Sequence, residues 1–345
     1  MATKAPRRHI IPREPLCPSL PAEIWINIFT YCTDLAHLWN TVRRVSSVLR
    51  ACVDRAFAHH FLHDMHIDFA LEKYNLGGRS KRPELRTRFS RRSICADADD
   101  DDDDDDGDDV ELAWFKDERP DPPQRSNEQY NTVTQRWIEH VESWKPEMPR
   151  YTITLGSMVN DTPLVNLSVC AATREISFEW RASLELFFRE QARLEVLRRR
   201  FDDQMKVKMD EVEERVKRGE KLVPGDYPDK WESVENAFRR GVRRKRLKGW
   251  YEGDEEMLWA IESLACFEQG GGSGHADGER AASAVSTRGS HHHQISRDFR
   301  LNPDLPGARL GEKWFGSVYL VQELYLDEWS CMHRIDMKED QIGAK

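Results

Sequence analysis

The chain has 345 residues, 39% of them hydrophobic, which suffices for more than one folded unit with its own core. Its net charge of −9 comes from one tract: 11 aspartates lie between Asp97 and Asp109, and removing those 11 charges from −9 leaves the rest at +2. No run of about 18 to 20 apolar residues is present, the N-terminus lacks the apolar core of a secretory leader, and the seven cysteines include no Cys-x-x-Cys pair. These features exclude a globally acidic protein and a membrane-spanning helix. They predict a cytoplasmic and/or nuclear protein with reduced thiols.

The segment 17–63 is dense in apolar residues at helical spacing and predicts three short helices. Pro21 suits the first turn of the first helix, and Asp34 suits the start of the second. Ser46 or Ser47 is the expected cap of the third helix. The apolar positions recur every three or four residues: Ile24, Trp25, Ile28, Phe29 and Cys32, then Leu35, Leu38, Trp39, Val42 and Val45, then Leu49, Val53, Phe57, Phe61 and Leu62.

Three motifs follow one another here: Leu20-Pro21-x-Glu23-Ile24-Trp25-x-x-Ile28-Phe29, Asp34-Leu35-x-x-Leu38 and Val42-x-x-Val45-Ser46-x-x-Leu49-Arg50. Together they resemble the F-box, the three-helix module of substrate receptors in SCF-type cullin-RING ubiquitin ligases. The aromatic continuation from Val53 to Leu62 is similar to fungal F-box-like proteins. Leu49 departs from the pattern, since many F-boxes carry Trp or Phe at this position.

The resemblance implies a non-catalytic substrate-receptor or adaptor subunit that binds a Skp-type linker protein and, through it, a cullin scaffold. Its protein substrate is not indicated by the sequence. Three helices of this size bury little apolar surface, so their surplus apolar residues need a partner, either another protein or the rest of the chain. The expected linker-binding residues are Leu20, Pro21, Ile24, Trp25, Ile28, Phe29, Leu38, Val42, Val45 and Leu49.

The fold class that the sequence predicts is α+β, with the helical module followed by a mixed region of helices and a small antiparallel sheet. In that region Tyr151–Leu155 is an expected strand, 164–169 is expected to pair back with it, and a long helix covers 181–218. The predicted segments are 1–16 (disordered N-terminus), 17–63 (F-box-like), 64–76 (strand and connector), 77–131 (acidic disordered insert), 132–267 (α+β region), 268–298 (disordered Gly/Ser/His-rich linker), 299–337 (C-terminal strands) and 338–345 (tail).

Two other features suggest alternative functions. The stretch 239–248 contains seven basic residues and precedes Trp250 and Tyr251, a pattern typical of a nuclear import signal or a nucleic-acid-binding surface, or simply of a solvated basic helix end. The long helix alternatively pairs as a coiled coil in a structural interaction protein. The partner is expected to be a protein, with nucleic acid disfavoured and no membrane involved.

The sequence indicates no catalytic, cofactor-binding or metal site. His59 and His63 have the spacing of the zinc-protease motif, but His60 replaces the glutamate that acts as general base in that motif. No other arrangement of nucleophile and base, or of paired carboxylates, stands out. The expectation is therefore that the chain is not an enzyme.

Overall fold

The computed structural model describes residues 20–72, 84–95, 110–120, 127–270 and 318–343. The chain forms two compact units, the first ending at Leu62 and the second beginning at His63. The helices are α1 (Ala22–Thr30), α2 (Leu35–Asn40), α3 (Ser47–Ala56), α4 (Leu62–Asp64), α5 (Asn127–Glu142), α6 (Trp180–Lys217), α7 (Trp231–Trp250), α8 (Glu255–Gly270) and α9 (Val318–Gly343). The strands are β1 (His66–Ala70), β2 (Glu84–Cys95), β3 (Val110–Asp117), β4 (Tyr151–Leu155), β5 (Met158–Asn160), β6 (Ser168–Cys170) and β7 (Glu175–Glu179). The predicted α+β class is confirmed.

The helices of the first unit begin where their capping residues predict. The Asp34 carboxylate accepts a hydrogen bond from the His37 amide at 2.8 Å, at the start of α2. Ser46, the first of the two candidate caps, accepts one from the Leu49 amide at 3.1 Å at the start of α3. Each cap satisfies an amide that has no partner within its own helix.

The core of the first unit is built from large side chains on α2 and α3. Leu38, Trp39 and Val53 are buried, as is Phe57 in the π-helical turn after α3. The Trp39 and Phe57 rings meet edge to face, with 4.8 Å between their centroids. Helix α1 packs against α3, and the predicted order of three helices is confirmed.

The described strands of the second unit form one antiparallel sheet in the order β5-β4-β1-β2-β3-β7-β6. The predicted strands at β1 and β4 are confirmed. The expected return of 164–169 to β4 is wrong, because Gly156, at a φ of 61°, turns the chain so tightly that Met158 already lies opposite Leu155. Part of the expected strand instead joins β6, which pairs with β7.

The predicted disorder of 77–131 is wrong for β2 and β3, which lie near the middle of the sheet, and for 127–131, which begins α5. The arginines of β2 are neutralised by carboxylates: Arg91 Nη1 lies 2.8 Å from Glu175 and Arg92 Nη1 lies 2.6 Å from Glu111. Composition alone does not reveal such pairs, because one partner, Glu175, is distant in the sequence. The aspartate tract, 97–109, lies outside the described residues, as do the predicted segment 1–16 and positions 271–298 of the predicted linker 268–298. The first three residues of that linker belong to α8, so its predicted disorder is wrong there.

The predicted C-terminal strands are also wrong, because 318–343 forms helix α9, while 299–317 lies outside the described residues. The aromatic and β-branched residues favoured a strand locally. In the structure Val321 and Leu324 are buried in a cluster with Trp259 and Leu264 of α8. Packing between helices therefore overrides the local preference.

The long helix predicted at 181–218 is confirmed as α6. Its first half buries aromatic residues and contacts β3 and β7. Farther along, Phe201 packs against Trp231 and Phe238 of α7, with ring centroids 5.7 and 6.1 Å away. Part of the apolar side of α6 thus has partners within the chain, whereas Met209 and Val216 are exposed, and coiled-coil pairing with another molecule stays a prediction.

Candidate partner-binding surface

One side of α1 carries large apolar residues in solvent. Ile24 and Ile28 are each 46% exposed, and Tyr31, directly after the helix, is 82% exposed. Their spacing of four and then three residues places them on one face. Exposed large apolar side chains at such spacing are a feature of surfaces that bind partners.

A second group of exposed apolar residues lies where the chain enters α3. Val45 is 68% exposed and Val48 is 59% exposed. The segment before them is held in place by Arg43, whose Nε lies 2.6 Å from Asp54 Oδ1 and whose guanidinium lies 4.5 Å from the centroid of the Trp39 ring. The exposure of the valines therefore belongs to a well-packed segment. We call Pro21, Ile24, Ile28, Tyr31, Val45 and Val48 together the apolar surface of the first unit.

The structure sorts the expected linker-binding residues into three groups. Pro21, Ile24, Ile28 and Val45 are exposed, whereas Leu20, Trp25, Val42 and Leu49 are half-buried. Phe29 and Leu38 are 5% and 2% exposed, so they are core residues and do not lie on the surface.

Two exposed residues were missed by the sequence analysis. Tyr31 continues the helical spacing of Ile24 and Ile28, and this spacing in the sequence indicates that Tyr31 belongs to the same face. Val48 lies between the matched positions Val45 and Leu49, where the motif specifies no residue type.

The basic stretch of α7, 239–248, differs from the apolar surface of the first unit because most of its charged side chains already have partners within the chain. Arg243 Nε donates to Asp161 Oδ2 at 3.0 Å, and Arg246 Nη2 donates to Asp161 Oδ1 at 2.7 Å. Asp161 and Arg243 are buried. Burial alone would raise the pKa of the Asp161 carboxyl, but the charges of Arg246 and Arg243 outweigh it and hold that pKa well below its usual range.

The other basic residues of 239–248 follow the same pattern, with the exception of Lys245, which is exposed. Their ion pairs are Arg239 with Glu339 at 2.6 Å, Arg240 with Glu268 at 3.1 Å, Arg244 with Glu328, and Lys248 with Glu262 at 2.8 Å. The positive charge of this stretch therefore connects α7 to α8, α9 and the loop after β5. It leaves little free charge for the phosphates of a nucleic acid.

Arg334 of α9 is buried next to this network but has no carboxylate within ion-pair distance among the described residues. Its Nη2 donates to the Pro149 carbonyl oxygen at 2.6 Å and lies 3.1 Å from Cys331 Sγ. Burial raises the pKa of the Cys331 thiol, although the charges of Arg243 and Arg334 act in the opposite direction. The thiol is therefore neutral at pH 7 and does not balance the charge of Arg334.

Within the described residues, no group of three or more His, Cys, Asp and Glu side chains is placed to hold a metal ion. His59 and His63 are both exposed. Over the same ranges, none of the helices has the length and apolarity that crossing a membrane requires.

Comparison of the chain with protein-family models, with curated proteins and with solved structures found no match. The candidate surface therefore rests on its own geometry and on the sequence motifs that it carries.

Proposed function

We propose that the chain is a non-catalytic substrate-receptor or adaptor subunit of an SCF-type cullin-RING ubiquitin ligase. The apolar surface of the first unit binds the Skp-type linker protein. One observation carries the proposal: Ile24, Ile28 and Tyr31 are exposed along one face of α1, within a three-helix unit whose sequence resembles the F-box.

The energetics favour a partner for this surface. Apolar area gains about 25 cal/mol per Å² when it is removed from water, so each half-exposed isoleucine has on the order of 1 kcal/mol to gain on docking. The core residues Leu38, Trp39 and Phe57 are buried, while Ile24 and Ile28 keep nearly half of their surface in solvent. That exposed area is available for binding.

In this function the chain supplies proximity and orientation and carries out no chemistry of its own. The linker and cullin hold a ubiquitin-conjugating enzyme, and the α+β unit binds a protein substrate or braces the receptor. Holding a substrate lysine near the activated ubiquitin makes the transfer effectively unimolecular.

The test is co-purification of the full chain with the linker and cullin, detected by mass spectrometry. The double variant Ile24→Asp/Ile28→Asp adds two charges to the proposed interface and leaves Phe29 in the core, so we expect it to fold and to lose the linker. A matched control is Val196→Asp/Val207→Asp, which changes two similarly exposed apolar residues on α6 of the second unit and should keep the linker. Absence of the linker from the wild-type preparation, or its retention by the α1 variant, would overturn the proposal.

A further inference from the structure

Ser46 lies in the chain between the two exposed valines of the apolar surface and is itself exposed. Its backbone is extended, with φ −157° and ψ 162°, and its hydroxyl oxygen accepts the hydrogen bond from the Leu49 amide. The side chain is thus held at the surface, one residue after Val45 and two residues before Val48 in the chain. Any charge added to its oxygen enters the proposed interface.

Basic residues flank this serine. Arg44, two residues before it, and Arg50, four residues after it, are both exposed. Flanking cations suit a protein kinase that selects basic sequences, since they offset the negative charge of the kinase surface that recognises them.

We propose that Ser46 is a phosphorylation site whose modification releases the chain from its linker. The inference rests on the proposed function of the same surface. In the reaction, the Ser46 Oγ attacks the γ-phosphorus of ATP, its proton passes to the catalytic base of the kinase, and the bond to ADP breaks.

The phosphate has two opposite physical effects. It adds about −1.5 to −2 charges at pH 7 at the N-terminal end of α3, where the helix dipole favours negative charge. The same charge lies in the segment that carries the exposed Val45 and Val48, where docking of an apolar partner would remove it from water at high cost. Phosphorylation therefore stabilises α3 and weakens binding, a combination that damage to the fold does not produce.

Two substitutions separate these effects in the full chain. Asp and Asn are comparable helix caps to Ser, so Ser46→Asp and Ser46→Asn differ mainly by one negative charge. We expect Ser46→Asn to bind a purified Skp-type linker as the wild type does, and Ser46→Asp to bind at least about tenfold more weakly by calorimetry. Amide hydrogen exchange over 47–56 should be no faster in Ser46→Asp than in Ser46→Asn.

The modification itself is tested by incubating the wild type and Ser46→Ala with ATP and a panel of kinases that select basic sequences, followed by mass spectrometry of 42–56. Phosphate on Ser46 of the wild type supports the inference, and its absence with every kinase overturns it. Equal affinity of Ser46→Asp and Ser46→Asn for the linker, with the wild type binding, overturns the release mechanism alone. If the wild type does not bind the linker, the proposed function and the release mechanism both fail.

Discussion

The two units of this protein differ in which residue types they expose and which they bury. The first unit leaves Ile24, Ile28 and Val45 in solvent, whereas the second unit buries Arg243 and Asp161. The exposure of these apolar residues is compatible with a stable first unit because the unit has a buried core of its own. The charged residues tolerate burial because Asp161 accepts hydrogen bonds from two arginines. Residue type thus indicates location only when the available partners are known.

The largest effect is expected from breaking the buried network. Asp161→Asn removes the carboxylate shared by Arg243 and Arg246 and leaves the buried Arg243 without its anionic partner, while Arg246 keeps its pair with Glu190. We expect a loss of about 3–5 kcal/mol in the free energy of unfolding, measured by urea denaturation. Glu262→Gln, which breaks the exposed pair with Lys248, is the control and should cost less than about 1 kcal/mol.

The next effect contrasts core and surface within the first unit. Leu38→Ala leaves a cavity in the core and should cost about 2–5 kcal/mol, while Ile28→Ala on the exposed face should cost less than about 1 kcal/mol. Hydrogen exchange over α1 to α3 reports the local stability. Equal costs for the two variants would show that Ile28 belongs to the core and would weaken the binding proposal.

The pH dependence of stability should differ with and without Asp161. Its pKa is lowered in the folded state, so below about pH 5 the unfolded chain binds more protons than the folded chain at this position. The stabilisation by the ionised carboxylate is complete above that pH and is lost as the pH falls. Urea denaturation from pH 7 down to pH 3 should show a steeper loss for the wild type than for Asp161→Asn, and parallel curves would contradict the assignment.

The smallest effect is expected at Arg334, a buried cation without a carboxylate partner among the described residues. Arg334→Met keeps much of the side-chain volume and removes a guanidinium whose Nε and Nη1 have no hydrogen-bond partner in the part of the chain that the structure describes. The variant removes an unpaired buried charge but also the hydrogen bond to the Pro149 carbonyl, so we expect the free energy of unfolding to rise by about 1–2 kcal/mol. Arg243→Met, which removes a partner of Asp161, should be clearly destabilising in the same assay.

Short-range interactions account for what the sequence predicted well. The caps Asp34 and Ser46 each bond an amide three residues away, so the starts of α2 and α3 follow from neighbouring residues. The helical periodicity that predicted α6 and the β-branched residues that predicted β4 are also properties of neighbouring residues. The motif positions also indicated most of the apolar surface, but which of them are exposed depends on how α1 to α3 pack.

Only the tertiary structure decided the rest, because it depends on residues that are far apart in the sequence. Strands β2 and β3 form although their segment is rich in charge, since they pair with each other and with β1 and β7, and Glu175 pairs with Arg91 across 84 positions. Helix α9 forms in place of strands because Val321 and Leu324 pack against α8. Arg243, in the basic stretch of α7, is buried because Asp161, 82 positions away in the sequence, pairs with it. By itself, the sequence determined the local starts and periods of the helices, whereas the location of charge relative to solvent was set by long-range pairing.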